Sequence, residues 1–322
     1  MMRSLKTTSG RSLILFILAS TFCSIMGKVI VTRFFFDYPI VILMMQTAST
    51  LFVIEISRIL GILKVPPYSF EKGRQIFIPS LLYTLAQWVT VASFEGIAMP
   101  NFDSVKRFTP LLILIFISLR GRQQKLDPNR TLMILGLCFA TSVAVNLELA
   151  MDRYSFLYGV FGAGLQAAAL ILFEENMVNF SATEMLYLHS FNSLVFYLMA
   201  DIVQDEIRDA FMYIITAAHP LFIVVFLINL LAGIIFHFTI FKCLEHNGAV
   251  KLQIFSNIRC VFETFIAYYM GFYLFYDVSP GIINWLFLIF TCLGAKTLRF
   301  GDGIDFEKEK GNIVKGPWMT KA

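Results

Sequence analysis

The chain has 322 residues, of which 57% are hydrophobic and only 15% charged, and its formal net charge is +4. A soluble domain carries about 25% charged residues, and the mean hydropathy of +0.72 points the same way. The composition excludes a soluble globular enzyme. The cations are spread over the connections rather than gathered in one patch, which excludes a nucleic-acid-binding protein.

Apolar stretches of about 20 residues, the length of a bilayer-crossing helix, recur from end to end. They are apolar all round and do not alternate, so they read as helices and not as barrel strands. Ten segments are predicted, at 12–31, 39–59, 76–98, 102–119, 131–147, 156–173, 185–202, 221–241, 252–273 and 281–298. The first is too long for the apolar core of a signal peptide and lacks a convincing cleavage site, so it is expected to be retained. The expected fold is an all-α polytopic membrane protein, with a transporter domain over residues 1–301 and a cytosolic tail at 302–322. Ten spans divide into halves of five, near 12–147 and 154–300. An odd number per half makes a repeat inverted across the membrane, a plan common in transporters. "NFDSVKRF" opens segment four and "NGAVKLQIF" opens segment nine, which is the internal similarity such a repeat would leave.

Connections alternate in charge. The N-terminus, the linkers after segments two, four, six and eight, and the C-terminal tail, counted with the segment-end residues Arg58 and Lys296, together hold 18 of the 26 Lys and Arg. The opposite connections hold only Arg33, Arg153 and Arg208. The positive-inside rule then puts both termini in the cytosol. The linker after segment six, with Glu174 and Glu175, adds no cation. The sequons at Asn129 and Asn179 fall on the cytosolic side and are expected to carry no glycan. Five scattered cysteines (Cys23, Cys138, Cys243, Cys260 and Cys292) show no CxxC or Cys/His spacing and read as packing residues. No metal site, cofactor or catalytic constellation is expected.

Five cations stand inside apolar segments or at their mouths: Lys28, Lys106, Arg107, Lys251 and Arg259. A charge at the centre of a membrane helix costs roughly 2.5–3.5 kcal/mol on insertion scales, so such residues face a watery cavity or a partner. Arg259 lies roughly 10 Å into segment nine at 1.5 Å per residue, too deep for easy escape to the headgroups. Lys251 and Lys28, nearer segment ends, leave snorkelling open. Lys106 and Arg107 are neighbours and point about 100° apart on a helix. One of them is therefore expected to face a cavity and the other a headgroup, an acid such as Asp103, or a gate. Intramembrane acids are few: Glu55 and Glu95 lie near segment ends and Asp103 near the mouth of segment four. Excess positive charge suits an anionic substrate. In segment seven, "LYLHSFNSLVF" offers Tyr187, His189, Asn192 and Ser193 as hydrogen-bonding groups and Phe191 as a stacking surface. His189 reads better as a partner of a neighbouring helix.

With these residues in view, the chain resembles the nucleotide-sugar transporters of the drug/metabolite transporter superfamily (solute carrier family 35-like), closest to the UDP-sugar and GDP-mannose branch. The similarity runs in order from about Lys28 to Gly301. "GKVIVTRFFFDYPIVILMMQ" resembles the family's Asn-Lys start and later Gln, with Lys28 and Gln46 on those positions and Gly27 replacing the Asn. "MPNFDSVKRFTP" resembles its pattern of Pro, aromatic, two cations, Phe and Thr, and is the most specific match. "SFNS" looks like a degraded Phe-Tyr-Asn-Asn or Tyr-Asn-Ala motif, with Phe191 on the Tyr and Asn192 on the Asn. "SNIRCV" resembles a Gly-Ala-Ile-Lys-Asn or Gly-Ala-Leu-Asn-Lys motif, which would put Arg259 in place of the Lys that contacts substrate phosphates. Ser256, Cys260, Glu174 and Glu175 depart from the pattern.

The resemblance implies a nucleotide-sugar transporter, not an enzyme. It would work by antiport with a nucleoside monophosphate, in a Golgi or endoplasmic reticulum membrane, with a homodimer as a further expectation. The substrate-binding residues it implies, together with the charge argument, are Lys28, Lys106, Arg107, Tyr187, Phe191, Asn192, Asn257 and Arg259. Asn192 would bond the base or ribose, and Phe191 and Tyr187 would form the wall. Three alternatives stay open at this stage: a carrier of sugar phosphates or another organic anion, a non-transporting scaffold, and a membrane-bound transferase.

Overall fold

A computed structural model describes residues 8–92, 102–119, 128–145, 153–216, 218–272 and 279–300. The tail at 302–322, Glu95, and most of the "LRGRQQKLDPNR" linker lie outside the described residues. Among the described residues every regular element is a helix. In chain order these are α1 (Thr8–Phe34), α2 (Pro39–Ile59), α3 (Phe70–Gln75), α4 (Phe77–Ala92), α5 (Phe102–Lys106) and α6 (Thr109–Leu119). They are followed by α7 (Pro128–Val145), α8 (Arg153–Asn176), α9 (Ala182–Gln204), α10 (Glu206–Thr216), α11 (Pro220–Tyr269) and α12 (Ile282–Phe300). Five of them, α1, α2, α8, α9 and α11, contain stretches long and apolar enough to cross a membrane. Shorter apolar helices lie at Phe77–Ala92, Thr109–Leu119, Thr131–Val145 and Ile282–Ala295.

Local sequence explains where the helices start and stop. Pro39 and Pro220 open α2 and α11, where a missing N–H costs nothing. Ser181 accepts from the Glu184 amide at the start of α9, the arrangement of a capping residue three before an acid. Asp205, left-handed at φ 55°, ends α9 and lets α10 turn away. The sequence expectation treats 203–220 as a plain connection; the structure folds most of it into α10. Its Glu206 accepts from the Ile40 amide at 2.8 Å and so ties α10 to the first turn of α2.

Three predicted segments look different in the structure. Segments eight and nine are joined without a loop as α11, whose 50 residues would run about 75 Å if straight. Gly248, at φ 75° and ψ 168°, breaks that run. This is backbone that only glycine adopts at low cost. Segment four is split into α5 and α6 by a turn at Arg107 and Phe108.

Large apolar side chains such as Leu18, Phe52, Phe139, Ile202 and Phe290 are exposed along helix faces, whereas Thr50, Ser80, Asn229 and Thr291 are fully buried. That inversion of a soluble protein's pattern fits a surface solvated by lipid. The helices pair as α1 with α11, α4 with α8, α2 with α9, and α7 with α12. The largest core runs through α4, α8, α9 and α11, where the rings of Tyr83, Phe173 and Phe241 surround His189 at 5.3–5.4 Å between centroids. His189 thus packs against neighbouring helices and bonds Ser193 within its own helix.

Candidate functional site: a cationic cavity

A central cavity of about 190 Å³ lies between α1, α2, α4, α5, α8 and α11. Lys28, Lys106, Arg107 and Arg259 all line it, and so do two acids, Asp103 and Glu263. The four cations against two carboxylates leave a formal excess of two positive charges.

The break in segment four builds half of this charge. α5 ends after five residues, and Arg107 and Phe108 form a turn whose amides bond the carbonyls of Ser104 and Val105. Pro110, which has no N–H to continue a ladder, sits at the start of α6. The 100° separation expected of neighbours holds only on a continuous helix; at this turn both Lys106 and Arg107 reach the cavity. Close approach of α8 sets the position of α5, because a Cβ at Gly159 would lie 2.6 Å from the Val105 Cβ.

Each cation is held. Arg107 pairs with Asp103, donates from Nε to the Asp103 carbonyl at 2.9 Å, and donates from Nη1 to Asn257 Oδ1 at 3.3 Å. Asn257 returns a bond from Nδ2 to the Arg107 carbonyl at 2.6 Å, satisfying an acceptor that the helix break leaves over. Asn257 itself does not line the cavity. Its contacts make it a positioning residue for Arg107. Lys106 donates to Thr90 Oγ1, whose own hydrogen goes to the Ala86 carbonyl, and lies 5.6 Å from the Phe102 ring centroid. Lys28 approaches Glu263 Oε1 at 3.2 Å. Arg259 pairs with the other oxygen of Glu263, and Ser24 donates to the same carboxylate. Lys251 is not among the lining residues.

The rest of the wall is rich in amides: Gln46, Gln87, Gln166, Asn229 and Gln253. Asn229 Nδ2 and Oδ1, Gln166 Oε1 and Arg259 Nε are buried without a hydrogen-bond partner among the described residues. Unsatisfied buried polar atoms are costly, and these belong to three residues of one cavity wall. Gly233 makes room for Gln46, since a Cβ there would lie 2.8 Å from its Cγ and Cδ.

Tyr187, Phe191 and Asn192 are elsewhere. Phe191 stacks on Tyr68 with centroids 3.9 Å apart. The Tyr68 hydroxyl donates to Asn192 Oδ1 at 3.1 Å, and Asn192 Nδ2 donates to the Gly73 carbonyl at 3.0 Å. Tyr187 donates to Glu55. These contacts strap α9 to α2 and to the α3 segment, and none of the three residues lines the cavity.

Glu263 is a site residue that sequence reasoning missed. Its spacing of four from Arg259, the distance at which helix neighbours pair, is the signal that could have found it. The lining amides could have been found as polar residues inside apolar helices.

No family model matches the sequence. The chain is 24% identical over 263 residues, 81% of its length and 80% of the relative's, to UDP-galactose/UDP-glucose transporter 7 of Arabidopsis thaliana. It is 21% identical to nucleotide sugar transporter SLC35D2 of Mus musculus, over 77% of this chain and 76% of that one. To the Homo sapiens protein of the same name it is 20% identical, over 77% and 73%. A crystal structure described only as that of a protein superposes with a TM-score of 0.61 over 92% of this chain and 98% of the other, at 11% identity, and so shares the fold. The family that the motifs resemble, the nucleotide-sugar transporters, is the family in which these curated relatives fall.

Proposed function

We propose that the chain is a ten-span nucleotide-sugar transporter that carries a UDP-sugar from the cytosol into the Golgi or endoplasmic reticulum lumen. In this reading it exchanges the sugar nucleotide for a nucleoside monophosphate. One observation carries the proposal: a cavity inside an apolar helical bundle holds an excess of two positive charges. A UDP-sugar bears one negative charge on each of its two esterified phosphates, so it neutralises that excess. Arg259 and Arg107 can each make two parallel bonds to phosphate oxygens, and Lys28 and Lys106 add point charges. The amides Gln46, Gln166, Asn229 and Gln253 supply donors and acceptors for the base and sugar.

The ten spans are α1, α2, α4, the broken α5–α6, α7, α8, α9, the two parts of α11 on either side of Gly248, and α12. The helix pairing supports two inverted halves. Under that symmetry the pair of spans one and eight corresponds to the pair of three and six, which fits α1 on α11, with Phe16 stacked on Phe236 at 6.5 Å, and α4 on α8. Spans two and seven, and five and ten, map onto themselves, as α2 with α9 and α7 with α12. Access would alternate as the halves rock around the cavity. The strap of Tyr68, Phe191 and Asn192, on the side assigned to the cytosol, would open and close in that motion.

The test is ligand binding to the purified protein. UDP-galactose, UDP-glucose, GDP-mannose and UMP are titrated while thermal stability is followed. A uridine nucleotide is expected to raise the melting temperature. A folded protein stabilised by hexose phosphates and by none of the nucleotides would refute the reading in favour of a sugar-phosphate carrier.

A further inference from the structure

We propose that Glu263 is a charge-setting residue of the cavity: an internal carboxylate that occupies Lys28 and Arg259 and thereby restricts the site to ligands carrying two negative charges. The proposal rests on the nucleotide-sugar reading above. Glu263 accepts from Ser24 and Lys28 on α1 and from Arg259 on its own helix, so one carboxylate occupies the cations of two helices. Its side chain is only 2% exposed, so water does little to screen it. Asp103, the other acid, is 40% exposed and answers mainly to Arg107, four residues along.

The charge count gives the selectivity. With Glu263 ionised the excess is two, matching a UDP-sugar or the dianion of UMP. Free UDP has one esterified and one terminal phosphate and carries about three charges, because a terminal phosphate contributes about two near neutral pH. In the native cavity its third charge meets the Glu263 carboxylate. Removing that carboxylate raises the excess to three and converts a repulsion into an attraction. Substrate and the free diphosphate share every group except the sugar, so contacts to base and ribose cannot separate them; a fixed count of charge can.

The experiment measures affinities of UMP, UDP and UDP-galactose for the wild-type protein and for Glu263→Gln, which keeps size and removes charge. The affinity of UDP relative to UDP-galactose is expected to rise at least about tenfold in Glu263→Gln, the effect of one charge about 12 Å away at an effective dielectric constant of about 20, a nearer charge giving more. Glu263→Asp should keep the wild-type ratio. If Glu263→Gln does not fold, because it leaves Lys28 and Arg259 short of a partner, Lys28→Met is compared with Lys28→Met/Glu263→Gln. The second change should again raise the ratio at least about tenfold. Binding by the wild type with an unchanged ratio in these variants overturns the charge-setting role alone. Failure of the wild type to bind any of the three nucleotides overturns the functional reading and this proposal with it.

Discussion

Replacing Asn257 by Ala removes both bonds that fix Arg107 at the helix break, the 2.6 Å donation to its carbonyl and the 3.3 Å acceptance from its guanidinium. The residue is buried at 1% exposure, so no bulk water takes over. The Arg107 carbonyl then stands unpaired in the membrane interior, which costs about 2 kcal/mol. The guanidinium keeps Asp103 but loses its second tether. Binding a phosphate must then order that side chain, at about 1–1.5 kcal/mol, which corresponds to about tenfold in affinity. The assay is a thermal melt of detergent-purified protein, alone and titrated with UDP-galactose. Asn257→Ala should melt at a lower temperature and need about ten times the ligand for half its stabilisation. A variant that melts and binds as the wild type does would refute the claim that Asn257 positions Arg107.

Other consequences are equally direct. Gly233→Ala puts a Cβ 2.8 Å from the Gln46 side chain, and overpacking of this kind costs about 1–3 kcal/mol; it should lower both melting temperature and ligand affinity. Gly248→Ala forces a side chain into φ 75°, ψ 168° and within 3.2 Å of Glu174 Oε1, a strain of about 1–3 kcal/mol that a melt would detect. Asn192→Ala breaks the bonds to Tyr68 and Gly73 away from the cavity. It should change the rate of uptake while leaving the affinity for UDP-galactose within about twofold, a difference of about 0.4 kcal/mol; a tenfold loss of affinity would instead make Asn192 a ligand contact.

The sequence made the cations of the site readable because a charge in an apolar segment has few places to go. Lys28, Lys106, Arg107 and Arg259 share one cavity for that reason. The joint arrival of Lys106 and Arg107 was not readable from helix geometry, since it depends on a turn that Pro110 permits and Asn257 completes. Glu263 was overlooked in "FETFIAYY": its spacing of four from Arg259 marked a pair on one helix, but its contact with Lys28 on another helix has no sequence signal. The motif around Asn192 shows the opposite limit. Its residue types suit a ligand, but their partners, Tyr68 and Gly73, come from a connection that periodicity does not place. Of the amide wall only Gln46 stood out, on a motif position; Gln166, Asn229 and Gln253 come from three helices or helix parts, and no spacing in the chain links them. The all-helical, apolar architecture was legible because apolar runs that do not alternate read as helices, although among the described residues only five helices have the length and hydropathy of a span.

The central claim is exchange transport through the cationic cavity. Its most direct test is uptake of labelled UDP-galactose into liposomes containing the purified protein, preloaded with UMP or left empty, with Arg259→Ala alongside. Arg259 faces the cavity and pairs with Glu263. Uptake is expected to depend on internal UMP and to be lost in the variant. Uptake indifferent to internal UMP, or undiminished in a folded Arg259→Ala, would contradict that claim.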